Sequence, residues 1–246
     1  MDSGFYAACT ALVSRTQALD TIANNLANAS TVGYRNQHNI FSSVLEEAGG
    51  ATGGAVNQAI NNYGLLSGTS LDETQGTLQK TGNDLDVAIQ GPGFFSVKTA
   101  AGEMYTRNGS LQVSGKGQLV TAAGDPVLGA KGPISLPPGS VSISPDGTIS
   151  SNGAVVGQLK VVEFPAGTEL SSEGQNYYSA PPNTTAKAAT SSTVQQGMLE
   201  GSNVNPVSSM VELISAQRSA EMMQRAVSMF NNEIDKTATQ DLPKIS

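Results

Sequence analysis

The single histidine and the single cysteine are the first residues to weigh for chemistry. A Ser-His-Asp triad would have to use His38, which lies in the polar stretch RNQHN, and the chain has no G-x-S-x-G sequence. Cys9 lies among alanine and threonine in a helical pattern, where packing is the expected role of a thiol. We therefore interpret His38 as a solvent or interface residue and Cys9 as a packing residue.

Acidic side chains offer the other possible chemistry, which is acid–base catalysis or calcium binding. Asp84 and Asp86 lie two positions apart, but the glycine and glutamate of an EF-hand loop do not follow them. A polysaccharide hydrolase would need two carboxylates across a cleft, and Glu103, Asp146 and Glu163 each lie in or beside a predicted turn or strand end. The sequence predicts no enzyme activity, no metal site and no cofactor.

Composition narrows the function classes further. The formal net charge is -7 and only 13% of residues are charged, against about 25% in an average soluble domain. No cluster of Lys and Arg offers the concentrated positive charge that phosphate backbones need, so nucleic acid is not expected as a partner. One cysteine excludes an intrachain disulfide, and one histidine excludes a multi-histidine metal site.

Membrane insertion and a cleaved signal peptide are not expected either. The sequence contains no run of 18 apolar residues. It begins MDSGFYAACTALVSR, in which an acidic residue comes first and the first basic residue is Arg15. A Sec-type signal needs a basic segment before its apolar stretch. We expect a cytoplasmic protein, or one exported by a route that reads no cleaved signal.

The elements that would position any functional residue begin with a helix at the N-terminus. Apolar residues recur there at intervals of seven, namely Phe5, Leu12, Leu19 and Leu26, with Ile22 beside them. This spacing is typical of a narrow helical seam. Gly33 can take the left-handed backbone conformation that ends a helix.

The C-terminus repeats the same pattern. The residues at intervals of seven are Leu213, Ala220, Val227 and Ile234, and Ala216, Met223 and Phe230 fill the intermediate positions. Asn205 and Pro206 provide a helix cap and a first helical residue, and the helix is predicted over about 206 to 237. Long helices with narrow apolar stripes need partners, so we expect the two ends to pair with each other and with other copies. Two ordinary helices packed on one globular core are the alternative.

Between the helices the hydrophobic period falls to two. Short alternating segments such as LDVAIQ, GFFSVKT and VVGQLKVVEF are separated by Asn-Gly and Pro-Asp-Gly turns, which predicts a compact all-β domain. The predicted fold class is α+β, with long terminal helices in a coiled-coil-like layer and an inserted all-β domain. The predicted segments are an N-terminal helix at 1–33, an extended, flexible transition at 34–83, the β domain at 84–180, a return segment at 181–204 and a C-terminal helix at 205–246.

Three stretches of this sequence resemble bacterial flagellar axial proteins, the family of rod, hook and hook-associated subunits. The first is IANNLANASTVGYRNQ at the end of the N-terminal helix. The second is LDVAIQGPGFFSV with YTRNGSLQVSGKGQLVTAAGDPVLG, and the third is LEGSNVNPVSSMVELISAQRSAEMMQRAV. They cover most of the chain in the family's order. Within the family, the chain length resembles the rod proteins with an inserted β domain.

The resemblance implies a structural function. A rod subunit assembles helically with other rod subunits and with copies of itself, and transmits torque from motor to hook in the periplasmic part of the basal body. The resemblance also implies export by the flagellar type III apparatus, without a cleaved signal peptide. GPISLPPG and LEGSNVNPV resemble the rod type lettered F, and the distal rod type lettered G is the alternative. A secreted β-domain adhesin on a coiled-coil stalk is an alternative from another class.

The residues expected at subunit interfaces are the two seams and the asparagines of the first stretch. Asn24, Asn25 and Asn28 lie on adjacent faces of the last helical turns, and an amide both donates and accepts hydrogen bonds. We expect them to bond to neighbouring subunits or to the returning chain. A plain helix end near Gly33 is the alternative. The full set is Phe5, Leu12, Leu19, Ile22, Asn24, Asn25, Leu26, Asn28, Leu213, Ala216, Ala220, Met223, Val227, Phe230 and Ile234.

Overall fold

The computed structural model describes residues 2–42, 65–165, 167–182 and 184–240. In these ranges the fold is α+β, as the sequence predicts, with two long helices and nineteen short strands. Helix α1 spans Asp2–Ala27 and helix α2 spans Pro206–Gln240. Among the described residues, neither helix combines the length and apolar character needed to cross a bilayer.

The strands follow each other closely between the helices. In chain order they are β1 (Gln37–Ser42), β2 (Leu65–Leu71), β3 (Leu78–Lys80), β4 (Val87–Gln90), β5 (Phe94–Thr99), β6 (Gly102–Thr106), β7 (Leu111–Val113), β8 (Leu119–Thr121), β9 (Leu128–Gly129), β10 (Gly132–Pro133), β11 (Val141–Ile143), β12 (Thr148–Ser151), β13 (Ala154–Gln158), β14 (Val161–Glu163), β15 (Ser171–Ser172), β16 (Tyr177–Ser179), β17 (Lys187–Ala188), β18 (Thr193–Gln196) and β19 (Met198–Glu200).

The chain divides into two compact units. The helical unit contains α1 up to Leu26, the paired strands β1 and β2 (except the end of each nearest the boundary), and α2. The β unit contains Ala27–Gln37 and Ser70–Asn205, so the predicted β domain at 84–180 falls inside it. Residues 43–64 of the predicted flexible transition and residues 241–246 of the predicted C-terminal helix lie outside the described residues.

A six-stranded sheet of order β15-β16-β6-β5-β14-β17 organises the β unit. Its central strand β5 alternates, so that Phe95 and Val97 enter the main core while Phe94 packs in a second cluster with Val162 and Tyr178. Both faces of this strand are therefore covered, which explains why the apolar residues Phe94 and Phe95 stand side by side in it. The edge strands β15 and β17 are only two residues long, which limits the backbone that a stray strand could pair with.

Two details of the predicted strands are wrong. VVGQLKVVEF is split into β13, in a three-stranded sheet with β11 and β12, and β14, in the six-stranded sheet. The chain passes between these sheets at Leu159, which is buried in the main core. The return segment is also richer in strands than the sequence predicts, because β18 pairs with β4 and β19 pairs with β3.

Candidate assembly surfaces and a buried charge cluster

Three charged residues meet in the interior of the β unit, and we call them the Glu200 cluster: Arg35, Arg107 and Glu200. Each is at most 2% exposed. Glu200 lies at the end of β19, Arg35 follows the turn after α1, and Arg107 follows β6. Glu200 Oε1 lies 2.9 Å from Arg35 Nη2, and Glu200 Oε2 lies 3.0 Å from Arg107 Nη1. One carboxylate therefore neutralises two buried guanidinium groups only in part.

Arg107 is held from several sides. It donates hydrogen bonds to the Glu200 carboxylate and to the backbone carbonyls of Ile89 and Gly91. Its guanidinium also lies 5.1 Å from the ring centroid of Phe94, a cation–π distance. Burial lowers the pKa of Arg107 to about 10, and attraction to Glu200 opposes that shift while repulsion from Arg35 adds to it.

Arg35 is held more weakly than Arg107. The Nη2 contact with Glu200 has ion-pair distance without hydrogen-bond alignment, and Nε and Nη1 have no hydrogen-bond partner among the described residues. The backbone of Arg35 is better fixed, because its N–H donates to the Tyr178 hydroxyl at 3.2 Å. Burial raises the pKa of that hydroxyl to about 12.

Gly33 turns the chain into this cluster. Its φ of 69° lies in the left-handed region, and its N–H donates to the Glu200 carbonyl oxygen at 2.7 Å. A Cβ at this position would lie 2.4 Å from the backbone carbonyl carbon of Arg107. Glycine is therefore required here both for its backbone conformation and for its lack of a side chain.

The three predicted asparagines have different environments. Asn24 is exposed, Asn25 is 5% exposed and Asn28 is half-buried. Asn28 closes the helix end, since its carbonyl accepts from the Thr31 N–H at 3.0 Å and its side-chain oxygen accepts from the Thr31 hydroxyl at 3.1 Å. All three have further polar interactions within the chain. Asn24 is thus the amide that is most accessible to a neighbour.

The described seam residues of both helices are partly or fully covered. Leu12, Leu19, Ile22 and Leu26 on α1 are half-buried. On α2 we define an inner stripe, of which Ala220 is buried and the rest half-buried: Leu213, Ala216, Ala220, Met223 and Val227. The side chains of Phe5, Phe230 and Ile234 lie outside the described residues. Each helix therefore has one covered side along the predicted seam, while a coiled coil stays a prediction.

A second apolar stripe on α2 is exposed and was not predicted from the sequence. We define this outer stripe as Val207, Met210, Val211, Ile214, Met222 and Met229. Val207 is 70% exposed and Met222 is 62% exposed. Steps of three, four, seven and eight residues place these side chains on one helix face, opposite the inner stripe. A helix with two apolar faces has a surface that its own unit does not use.

The residues weighed for chemistry have structural partners instead. His38 is exposed and Cys9 is half-buried. Asp146 accepts hydrogen bonds from the Thr148 N–H and hydroxyl, which hold the pKa of its carboxyl below the usual value. Glu163 likewise accepts from Ser192 Oγ at 2.8 Å.

Two further carboxylates, of Asp86 and Glu103, are engaged in the same way, while Asp84 is exposed. Asp86 is buried and accepts from the Thr81 hydroxyl at 2.6 Å, and Glu103 forms an exposed ion pair with Lys160. Within the described ranges, no group of three or more His, Cys, Asp or Glu side chains could hold a metal ion.

Comparison with known proteins identifies the family. Three family models match in chain order: "Flagella basal body rod protein" at residues 5–35, "Flagellar hook protein FlgE/F/G D1 domain" at 88–151 and "Flagellar basal body rod FlgEFG protein C-terminal" at 195–240. The chain is 34% identical to the flagellar basal-body rod protein FlgF of Caulobacter vibrioides, over the full length of both. The chain belongs to the flagellar basal-body rod protein family.

Other relatives agree with this assignment. FlgF of Salmonella typhimurium is 36% identical over 95% of this chain and 96% of its own length. FlgG of Bacillus subtilis is 36% identical over 81% of this chain and 84% of its own length. The family resemblance inferred from the three sequence stretches is therefore confirmed.

The three segments matched by rod-family models each contribute one member of the Glu200 cluster. Arg35 ends the first segment, Arg107 lies in the second and Glu200 lies in the third. All three residues lie within the stretches that resemble the family, but the sequence predicts no role for any of them. Opposite charges at positions 35 and 200 were the available signal, but nothing in the spacing indicates that residues so far apart in the chain meet.

Proposed function

We propose that this chain is a structural subunit of the flagellar basal-body rod, of the type named FlgF in its relatives. The carrying observation is the 34% identity over the full length of both chains with FlgF of Caulobacter vibrioides. Its relatives are rod proteins, and the chain is a structural protein rather than an enzyme. The alternative of a stalked adhesin has no support in these relatives.

The proposed function requires surfaces for other rod subunits and for copies of the chain itself. The outer stripe of α2 is the strongest candidate, because it exposes six large apolar side chains on one helix face. Its proposed occupant is a terminal helix of a neighbouring rod subunit. Contacts of this kind between unlike surfaces generate an open helical assembly when the rotation between subunits does not close into a ring. The inner stripe and the α1 seam would then pack within the helical layer.

A charge on the outer stripe tests this surface. Met222→Asp places a carboxylate among exposed apolar residues, so the isolated protein should keep its fold while incorporation into rods falls at least tenfold, about 1.4 kcal/mol of lost association. Gln224→Asp is the matched control, since Gln224 is also exposed on α2 and no outer-stripe residue lies three, four, seven or eight residues from it. Normal rods with Met222→Asp, or equal losses in both variants, would remove the basis for this surface.

The asparagines near the end of α1 have a proposed secondary role in assembly. Asn24 offers its exposed amide to a neighbouring subunit, whereas the buried Asn25 and the half-buried Asn28 support the helix end. Asn25→Ala and Asn28→Ala should reduce rod assembly through a loosened helix end, and Asn24→Ala should reduce it without a change in thermal stability. Normal assembly with all three single variants would contradict the role of these amides.

We propose that the subunit transmits torque from motor to hook within the periplasmic rod, and that it reaches the rod through the flagellar type III export apparatus. A single cysteine supports the second part, because no intrachain disulfide has to form or be reduced for passage as an unfolded chain. Export without a cleaved signal peptide stays a prediction.

The distal rod type is the second candidate, because FlgG relatives such as that of Bacillus subtilis reach similar identity. Mass spectrometry of purified hook–basal bodies, with this chain quantified against the other axial proteins, separates the two types. A few copies per particle would support the FlgF type. A copy number comparable to the most abundant rod subunit would support the FlgG type, and absence from the particle would overturn the rod function.

A further inference from the structure

We propose that Glu200 is a positioning residue that locks the segment following α1 to the segment preceding α2, so that both chain ends leave the β unit from one joint. We define the joint by three segments of the β unit: residues 33–36, 72–76 and 200–203. This role concerns the folded monomer. A test of it can therefore succeed or fail whether or not the chain assembles into rods.

Glu200 contacts each of the other chain segments involved. Its backbone carbonyl accepts from the Gly33 N–H at 2.7 Å, and its Oε1 accepts from the Gly76 N–H at 2.9 Å. The same Oε1 faces Arg35, and Oε2 accepts from Arg107. Four contacts therefore converge on a residue that is only 1% exposed, so the carboxylate is shielded from bulk solvent.

Asn203, three residues after Glu200, makes a second connection between the segments of the joint. Its Oδ1 accepts from the Asn36 N–H at 2.7 Å, and its Nδ2 donates to the Asp72 carbonyl at 3.1 Å. The Asp72 N–H in turn donates to the Asn36 carbonyl at 2.8 Å. Asn203 holds the same segments by neutral hydrogen bonds, so the joint has one charged tie and one neutral tie.

Glu200 is the residue of the Glu200 cluster whose loss should have the largest effect, because it carries the single negative charge between two positive ones. Arg107 would keep its bonds to the Ile89 and Gly91 carbonyls without Glu200, whereas Arg35 would keep no charged partner among the described residues. Loss of the Glu200 charge leaves two buried guanidinium groups that repel each other. Residues 33–36, which include Arg35, should then detach from the joint first. The six-stranded sheet around β5 and β6 should keep its hydrogen bonds.

Hydrogen exchange on the full-length monomer tests the lock. In Glu200→Gln, peptides that cover 28–37 and 70–77 should exchange on the order of 100-fold faster, because breaking a buried ion pair by removing one partner is strongly destabilising. Peptides from β5 and β6 should keep their protection. Glu103→Gln is the control, since it removes the same charge from the exposed pair with Lys160 and should change neither region.

Unchanged exchange at 28–37, or a loss of protection that is equal in β5 and β6, would overturn the proposal. A second variant keeps the test decisive if Glu200→Gln does not fold. Arg35→Met alone leaves the Glu200–Arg107 pair intact, so it should fold and speed exchange at 28–37 only. Added to Glu200→Gln, it removes one of the two uncompensated charges and should restore folding or protection in part. Additive losses in the double variant would contradict a charge lock and indicate packing alone.

Discussion

The β unit and the helical unit use apolar residues in opposite ways. In the β unit, Phe95 and Val97 are fully buried in a core built from several sheets. In the helical unit, α2 keeps only a half-buried inner stripe and exposes a second apolar stripe to solvent. The β unit thus buries most of its large hydrophobic residues, with Val113 and Val155 as exposed exceptions, whereas α2 exposes six. We propose that the β unit carries most of the stability of the folded chain, while the exposed apolar face of α2 serves assembly.

The largest effect that separates the units should come from a cavity in the β core. Phe95→Ala removes a fully buried ring and should lower the free energy of unfolding of the β unit by about 3–5 kcal/mol. Met222→Ala removes an exposed side chain on α2 and should change that free energy by no more than about 0.5 kcal/mol. Urea titrations of both variants measure the difference. Similar losses would mean that the units are not energetically distinct.

A smaller and more local effect is expected along the covered sides of the helices. Leu19→Asp or Val227→Asp places a charge on a half-buried position and should weaken packing in the helical unit by about 1–3 kcal/mol. Far-UV circular dichroism should report lower helicity, rods should not form, and the urea midpoint of the β unit should stay unchanged.

Ser228→Asp provides the matched control for this comparison. Ser228 follows Val227 on α2 but is exposed, so its replacement adds the same charge without entering the covered side. Equal helicity losses in Val227→Asp and Ser228→Asp would show that the added charge, rather than the covered position, causes the effect.

The two units also differ in how well the sequence predicts them. Helix α2 begins at Pro206, where the sequence places a proline after a capping asparagine, and the heptad positions from Leu213 to Val227 are its covered side. Helical periodicity is a local property, so a window of the sequence contains it. The outer stripe was not predicted, because its register shifts between Ile214 and Met222, so no continuous interval of seven runs through it.

The β unit could be predicted only in its local parts. Alternation and turn residues identify strands such as Phe94–Thr99, but not their partners, and β18 pairs with β4 across about a hundred residues. The Glu200 cluster was missed for the same reason. Its members come from three distant segments, and only the folded topology brings them together.

The smallest effect concerns alkaline pH and the buried tyrosines of the β unit. Burial raises the pKa of Tyr177 to about 12, opposed by a hydrogen bond from Thr121 and aided by Asp125. Burial also raises the pKa of Tyr178 to about 12, from an ordinary value of 10.0. Between about pH 10 and pH 12 the native state keeps the protons of Tyr177 and Tyr178, whereas the unfolded chain releases them. The free energy of unfolding therefore falls as pH rises. Arg107, with a lowered pKa of about 10, acts in the opposite direction but contributes only one proton.

Tyr177→Phe removes one of the two hydroxyl groups that keep a proton in the native state at high pH. The variant loses the hydrogen bonds to Thr121 and Asp125, so its stability at pH 8 should be lower by about 1–2 kcal/mol. Its further loss between pH 8 and pH 11 should be smaller than in the parent chain, because Tyr177 no longer retains a proton on folding. Urea midpoints at the two pH values measure both quantities. A parallel decline in the two proteins would show that Tyr177 titrates normally, and that its buried contacts do not distinguish the β unit from the exposed helices at high pH.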